Sequence, residues 1–265
     1  LGQTDVPTGL TQAVSLNGHS HIDLNGLSSR TMTIHADGMS GTVLGGFSWE
    51  EQESVGVDGA IHIDDVSKIA AAWGVSESEG VLDLNFSVSG LLDNLDVDFN
   101  LRAERPSYQQ LTLDMIAASG SYNSAGIRLN KLTWSGEQTD GAASGGLTWR
   151  PDGLTAFDIK TLEQTRLDLV LLQVPGLQGV VKADLNLSGS LDAGYLPVQS
   201  GLQSEGKIAL EGLSFPGISL SDSTASWNLT TFPGESGVFL DGMASIKANK
   251  IVLADTSIGS LFAEV

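Results

Sequence analysis

The sequence contains no cysteine, which excludes disulfide bonds and thiolate sites and leaves the redox compartment of the protein open. Basic residues are also scarce, because 13 Lys and Arg stand against 32 Asp and Glu, for a formal net charge of −19. Nucleic acids and anionic lipid surfaces attract proteins through Lys and Arg. This charge balance therefore argues against nucleic acid as a partner and against electrostatic docking on anionic membranes.

Long hydrophobic runs are missing as well, and no window approaches the roughly 20 consecutive apolar residues that a membrane-spanning helix requires. The first residues show no basic and apolar leader, so no targeting segment is visible. We expect the chain to be a piece of a longer protein. Aromatic residues make up only 6% of the sequence, whereas glycine occurs 32 times, a composition typical of many short strands joined by turns.

What the sequence does contain is strict alternation of apolar and polar residues, most clearly in Gly80–Leu101. The apolar positions that share one face are Leu82, Leu84, Phe86 and Val88, then Leu95, Val97, Phe99 and Leu101. A turn is predicted between the two halves, at Asp93-Asn94. A period of two residues over this length predicts two half-buried strands of an antiparallel sheet.

The same patterns occur twice along the chain. Gly179–Asp192 aligns without a gap to Gly80–Asp93 and keeps the leading Gly-Val, the Ser-Gly pair and the closing Leu-Asp. Upstream, Gly26–Trp49 aligns in the same way to Gly126–Trp149. Self-similarity at a fixed spacing is the signature of a repeated architecture. The spacing is close to a hundred residues in both cases.

These matches predict an internal repeat of about 100 residues, with one copy at 26–101, a second at 126–192 and a partial third unit at 206–265. No linker or charge run separates the copies, so we expect one continuous segment over residues 1–265. Two short helices are also predicted. Val66–Trp73 follows a capping Asp64 or Asp65, and Thr165–Val174 takes the equivalent place in the second copy, although its alternating leucines also suit a strand.

A sheet that is apolar on one face must cover that face with another sheet, with helices or with a ligand. Two short helices are too few to cover this many strands. Composition alone favours a sheet that closes on itself around a dry core, as in a sandwich or solenoid. The alternative is a sheet curled into an open trough with an apolar interior groove. Both alternatives belong to the all-β class with short helices.

Signals of catalysis are missing from the sequence. It contains no Gly-x-Ser-x-Gly elbow and no glycine-rich phosphate loop between a strand and a helix. Its acidic pairs are adjacent in sequence, which does not place two carboxyl groups across a substrate. We predict that the protein is not an enzyme and needs no cofactor.

Two groups of residues resemble metal ligands only superficially. The first consists of His19, His21 and Asp23, which lie on one face of a strand, where zinc or copper would still need a distant ligand. The second consists of Asp93, Asp96 and Asp98. The second group lacks the closing Glu of a calcium loop. Outward-facing, solvated side chains explain both groups better, so no metal site is predicted.

The strand rhythm resembles the repeats of the TamB and AsmA-like family, in which a short helix is followed by a Gly-led strand and further alternating strands. The motifs that carry the resemblance are Gly179–Asp192 and, more loosely, Gly80–Asp93, with Ser119–Tyr122, Gly126–Trp134 and Gly145–Trp149. The resemblance covers about residues 13–254.

This resemblance implies an elongated β-taco, a curled and mostly antiparallel sheet, in the periplasm of bacteria with two membranes. Members are anchored in the inner membrane by an N-terminal helix, which is not visible here. Their apolar interior is thought to conduct phospholipids between the inner and outer membranes. TamB itself works with TamA, an outer-membrane barrel, in a process earlier described as autotransporter assembly.

We therefore predict a non-catalytic periplasmic conduit that binds phospholipid acyl chains and serves outer-membrane biogenesis. The alternative is a chaperone-like cradle that assists the assembly of outer-membrane proteins or autotransporters with an outer-membrane barrel partner. The residues predicted to line the lipid groove are Leu84, Phe86, Val88, Val97, Phe99, Leu101, Trp134, Trp149, Leu185, Leu187, Ile208, Leu210 and Trp227.

Overall fold

In the computed structural model of the chain, the described residues are 15–49, 53–67, 70, 78–108, 111–194, 196, 198, 201–234, 237–253 and 256–264. Sixteen strands contain most of them. In chain order the strands are β1 (Ser15–Ile22), β2 (Gly26–Ala36), β3 (Met39–Ser48), β4 (Ser54–Ile63), β5 (Ser78–Leu91), β6 (Asn94–Tyr108), β7 (Leu111–Thr112), β8 (Met115–Asn123), β9 (Gly126–Ser135), β10 (Thr139–Trp149), β11 (Thr155–Asp168), β12 (Gln178–Leu191), β13 (Gln203–Phe215), β14 (Ile218–Gly234), β15 (Gly237–Leu253) and β16 (Thr256–Glu264).

The sixteen strands form one antiparallel sheet whose order follows the chain from β1 to β16, except that β7 pairs with β6 beside the main path. In the described part of the chain, β1 and β16 are each hydrogen-bonded to a strand on one side only, so the sheet is not closed. This arrangement confirms the predicted all-β, taco-like fold class. Sequential strands joined by short turns are the simplest way to build such a sheet.

Two compact units make up the chain, Leu1–Asn130 (unit 1) and Lys131–Val265 (unit 2). Unit 1 contains β1 to β8 and the beginning of β9. Unit 2 contains the end of β9 and β10 to β16. The residues of the predicted partial third copy, 206–265, belong to β13 and the three strands after it.

The strand bounds recur along the chain at nearly the spacing of the sequence repeat. The strands β1 to β5 begin at residues 15, 26, 39, 54 and 78, and β8 to β12 begin at 115, 126, 139, 155 and 178. The turn before β2 and the turn before β9 also use the same chemistry. The carboxylate of Asp23 accepts a hydrogen bond from the Asn25 N–H at 2.8 Å, and the Asn123 amide oxygen accepts one from the Ala125 N–H at 3.0 Å. Asx turns of this kind fix the chain reversal locally.

The hairpin of β5 and β6 has the predicted alternation but a slightly different turn. Leu91 pairs with Asn94, so the two turn residues are Leu92 and Asp93 rather than Asp93 and Asn94. Register in a hairpin is set by its turn. Because Phe86 lies opposite Phe99, both apolar sets stay on one face.

The first predicted helix, Val66–Trp73, falls only partly within the described residues. The described ones are Val66, Ser67 and Ala70, and all three are helical. Of the two predicted caps, Asp64 and Asp65, it is Asp65 whose carboxylate accepts the Ser67 N–H, at 2.9 Å, as expected of an acidic residue at a helix start. The remaining positions of this helix lie outside the described residues.

The second predicted helix, Thr165–Val174, is wrong over its first four residues, which continue β11. The alternation extends β11 as far as Asp168, and Leu167 pairs with Val181 of β12. Only one turn of 3₁₀-helix follows, Leu169–Leu172, capped by Asp168, whose carboxylate accepts the Val170 N–H at 3.0 Å. Cross-strand pairing outweighs the helical preference of these leucines, as tertiary context often does.

Candidate functional site

The pairing register of unit 1 places most of its apolar side chains on one face of the sheet, called the apolar face below. Directly opposite residues of neighbouring strands project to the same face, so they can be followed from strand to strand as rows. Four adjacent rows across β2 to β6 and β8 contain no charged residue. The rows are Ala36, Met39, Ile63, Leu82, Ala103 and Ile116; Ile34, Gly41, Ile61, Leu84, Leu101 and Ala118; Met32, Val43, Gly59, Phe86, Phe99 and Gly120; and Ser29, Gly45, Val57, Val88, Val97 and Tyr122.

Six of the predicted lining residues form three consecutive pairs within these rows. The pairs are Leu84 with Leu101, Phe86 with Phe99, and Val88 with Val97. All six side chains are half-buried rather than buried. The structure therefore brings together the part of the predicted lining that lies in β5 and β6.

Unit 2 has an apolar face of the same kind. Four adjacent rows across β12 to β15 again contain no charged residue. They are Val181, Leu210, Ser223 and Ala248; Ala183, Ile208, Ala225 and Ile246; Leu185, Gly206, Trp227 and Ala244; and Leu187, Ser204, Leu229 and Gly242. The five predicted lining residues of these strands all occur in the rows, namely Leu185, Leu187, Ile208, Leu210 and Trp227. Leu185 is 42% exposed, so the middle of the sheet is open to solvent there.

The two remaining predicted residues lie on other strands of unit 2. Trp134 is half-buried near the end of β9, where its ring covers Gly141 of β10. Trp149 is the last residue of β10, pairs with Thr155, and is 41% exposed. Trp149 therefore stands at a strand end, whereas Trp134 lies within the sheet.

Burial is low throughout the described residues. None of their large side chains is completely buried, and the buried apolar residues are Ile63, Ala103, Leu113, Ala142, Leu169 and Ala248. A closed sandwich of this size would bury many Leu, Ile and Phe side chains at close-packed density. The apolar faces are accordingly covered only in part, which disagrees with the closed, dry core that composition favours.

Two phenylalanines of unit 1, Phe86 and Phe99, lie over glycines of the neighbouring strands, a feature that the alternation alone does not predict. A methyl group on Gly59 would come within 2.2 Å of the Phe86 ring, and one on Gly120 within 2.7 Å of the Phe99 ring. Each glycine stands directly opposite the ring that covers it. In such a pair the ring shields the glycine backbone from solvent, and the missing side chain lets the ring lie flat against the sheet. The signal in the sequence is a glycine at an inward-facing position of an alternating strand.

Two of the tryptophans of unit 2, Trp134 and Trp227, also lie over glycines, and each has a partner for its indole N–H. A methyl group on Gly206 would lie 2.4 Å from the Trp227 ring, and the Trp227 N–H donates to the Ser204 hydroxyl at 2.9 Å. The Trp134 N–H donates to the Thr139 hydroxyl at 3.1 Å. In both cases the hydroxyl residue precedes the glycine by two positions. A buried indole N–H normally requires such a partner.

The opposite, polar face carries shallow depressions in both units. One of about 610 Å³ in unit 2 follows two polar rows, which include Asp184 beside Lys207 and Asn186 beside Glu205. One of about 580 Å³ in unit 1 includes His62, Asp83 and Arg102. Because their side chains are polar and of mixed charge, these depressions are not the apolar groove that the sequence predicts.

On the polar face of unit 1, His62 contacts two carboxylates. Its Nδ1 lies 2.6 Å from a carboxylate oxygen of Asp83, and its Nε2 lies 3.0 Å from one of Asp64. The hydrogen bond with Asp83, supported by the contact with Asp64, raises the pKa of the His62 imidazole above its ordinary value. Only the protonated ring can donate to both carboxylates at once.

The suggested metal ligands do not gather into a site. His21 Nε2 lies 3.5 Å from the Asp23 carboxylate, and hydrogen bonds from the Asn25 and Gly26 N–H groups lower the pKa of Asp23. Nowhere in the described part of the chain do three His, Asp or Glu residues come close enough together to hold a metal ion.

Comparison with models of known protein families, with curated proteins and with solved structures found no match. None of the helices among the described residues has the length and apolar character needed to cross a membrane.

Proposed function

We propose that the protein is a non-catalytic lipid-binding conduit whose apolar faces hold phospholipid acyl chains. The observation that carries this proposal is the set of uncharged rows, whose large apolar side chains are only partly buried in the described part of the chain. Large exposed apolar surfaces are rare on monomeric soluble proteins and mark binding sites. Taken with the resemblance to the TamB and AsmA-like family, this face supports transport of phospholipids between the inner and outer membranes, in the periplasm.

The hydrophobic effect provides enough free energy to hold an acyl chain on such a face. Removing a methylene group from water contributes about 0.8 kcal/mol, so ten methylenes contribute roughly 8 kcal/mol before the cost of immobilising the chain. The rows of unit 1 cross six strands, which at ~4.8 Å per strand gives an apolar path of about 24 Å. Successive rows offer nearly equivalent apolar positions, so a chain can shift along the face without leaving one deep site.

A chaperone-like cradle for outer-membrane strands is the second candidate. The observation that favours it is the outer edge of β1, which pairs with no other strand of the described ranges and in which all eight residues are exposed. An exposed edge offers backbone N–H and C=O groups to an incoming strand. In that case a TamA-like barrel would be the partner of the parent protein.

The test is native mass spectrometry of the purified chain, with phospholipid adducts expected on the wild type. A Phe86→Arg variant places a charge within the apolar rows and is expected to lose these adducts while remaining folded by circular dichroism. Asn85→Arg is the matched control, because Asn85 is the adjacent residue, is exposed and projects to the polar face. Its adducts should be retained.

Photocrosslinking separates the two candidates. A benzophenone side chain at Leu187, in the apolar rows of unit 2, is expected to label lipid. Polypeptide adducts at Leu187, with adducts along β1, would favour the cradle instead. If Phe86→Arg unfolds the protein while Asn85→Arg does not, the face is closed and the conduit is wrong, because an unpaired charge in a dry core is severely destabilising.

A further inference from the structure

The two half-buried tryptophans of unit 2 are held by the same local arrangement, called the indole seat below. It consists of a hydroxyl residue, one intervening residue and a glycine, on the strand next to the tryptophan. The two indole seats are Ser204 with Gly206 for Trp227, and Thr139 with Gly141 for Trp134.

The glycine fixes the height of the ring above the sheet. A methyl group on Gly206 would come 2.4 Å from Trp227 Cζ2, and one on Gly141 would come 2.6 Å from Trp134 Cζ2. Such contacts are far below normal carbon separations of about 3.5 Å. Any larger residue would lift the ring, so the glycines keep both indoles flat against the backbone.

The hydroxyl fixes the direction of the only polar group in each ring. The indole N–H is a donor with no acceptor capacity, and in hydrocarbon an unpaired donor is unfavourable. Ser204 and Thr139 accept these hydrogens at 2.9 and 3.1 Å. Each ring therefore presents only carbon and C–H to the molecule that lies over it.

We infer that Ser204, Gly206, Thr139 and Gly141 are positioning residues, which hold Trp227 and Trp134 flat so that a hydrocarbon chain can lie across them. This inference rests on the proposed lipid conduit and names its ligand at this place as the acyl portion of a lipid. A polypeptide or a lipid headgroup would need hydrogen-bonding partners, and the rows around Trp227 offer none that is charged. Two of their residues, Leu229 and Gly242, extend the same uncharged surface.

The experiment measures quenching of tryptophan fluorescence by vesicles of phosphatidylcholine brominated in the middle of the acyl chain. The quenching that disappears in Trp227→Phe is assigned to Trp227. Ser204→Ala is expected to weaken the apparent affinity for these vesicles roughly five-fold, the typical effect of one lost hydrogen bond. Ser204→Thr restores the hydroxyl and is expected to restore the affinity.

A double-mutant cycle distinguishes positioning from a general loss of stability. Phenylalanine has no ring N–H to donate to Ser204, so Ser204→Ala should leave vesicle affinity unchanged in the Trp227→Phe background, where the quenching of the remaining tryptophans reports the affinity. As a control, acrylamide quenching of tryptophan fluorescence without vesicles shows whether each variant is still folded. An equal loss of affinity from Ser204→Ala in the wild type and in the Trp227→Phe variant would show that the indole seat does not position Trp227 for lipid.

The remaining outcomes separate this inference from the proposed function. If brominated lipid quenches the wild type and Ser204→Ala does not change the affinity, the seat is only structural and the conduit still stands. If brominated lipid does not quench Trp227 in the folded wild type, and native mass spectrometry shows no bound phospholipid, the conduit itself is wrong.

Discussion

Units 1 and 2 build apolar faces from the same strand rhythm but complete them with different aromatic side chains. In unit 1, Phe86 and Phe99 lie opposite each other, and each covers a glycine of the strand on its outer side. In unit 2, Trp227 covers Gly206 and also needs the Ser204 hydroxyl. A phenyl ring requires only space, whereas an indole requires space and an acceptor. This difference explains why the Ser204 hydroxyl occurs within the apolar rows of unit 2.

The largest expected effect is that of removing a ring from unit 1. Phe86→Ala should destabilise the protein by about 2–3 kcal/mol, below the 3–5 kcal/mol usual for a fully buried Phe, because the ring is half-buried. Urea unfolding followed by circular dichroism measures it. A loss well above about 4 kcal/mol would show that the face of unit 1 is closed.

The next effect comes from filling the space that a ring occupies. Gly59→Ala should destabilise by about 1–2 kcal/mol, because the added methyl displaces the Phe86 ring. Gly56→Ala, on the same strand, meets no atom within 4 Å and should change stability by no more than about 0.5 kcal/mol. Equal effects of the two substitutions would mean that Phe86 does not cover Gly59 in solution.

Two serine hydroxyl groups of unit 2 are expected to give smaller effects on stability, of opposite sign. Ser204 accepts the Trp227 N–H, so Ser204→Ala should cost about 1 kcal/mol. The Ser223 hydroxyl, which lies in another apolar row of unit 2, is buried and has no hydrogen-bond partner among the described residues. Ser223→Ala should therefore be neutral or stabilising, by up to about 1 kcal/mol. Thermal unfolding of the two variants side by side measures the contrast, and a loss in both would contradict it.

The smallest expected effect is on the polar face of unit 1. The raised pKa of His62 means that its contacts with Asp83 and Asp64 add stability below its unfolded pKa of about 6.5. This contribution is lost as pH rises through the higher folded-state value. The stability difference between wild type and His62→Gln should thus shrink from pH 6 to pH 9. A difference that grows with pH would mean that the ring is held in its neutral form.

Much of the sheet could be predicted from the residues. The alternation of Leu84, Phe86 and Val88 with polar neighbours assigns both faces of β5, because successive side chains of a strand project to opposite sides. The helix at Thr165–Val174 could not be resolved in the same way. Its leucines fit the spacing of a helix as well as that of a strand. The strand extends to Asp168 because these residues pair with β12.

The sequence by itself determined which side of each strand is apolar, where most turns occur, and that acidic residues dominate the surface. Only the tertiary structure decided which residue stands opposite which. Alternation fixes the face of a side chain but not its cross-strand partner, since register depends on the turns and on irregularities such as the shift between Ser29 and Met32 in β2. For that reason the pairing of Phe86 with Gly59, and the seating of Trp227 on Gly206 and Ser204, emerge only when the strands are assembled into the sheet.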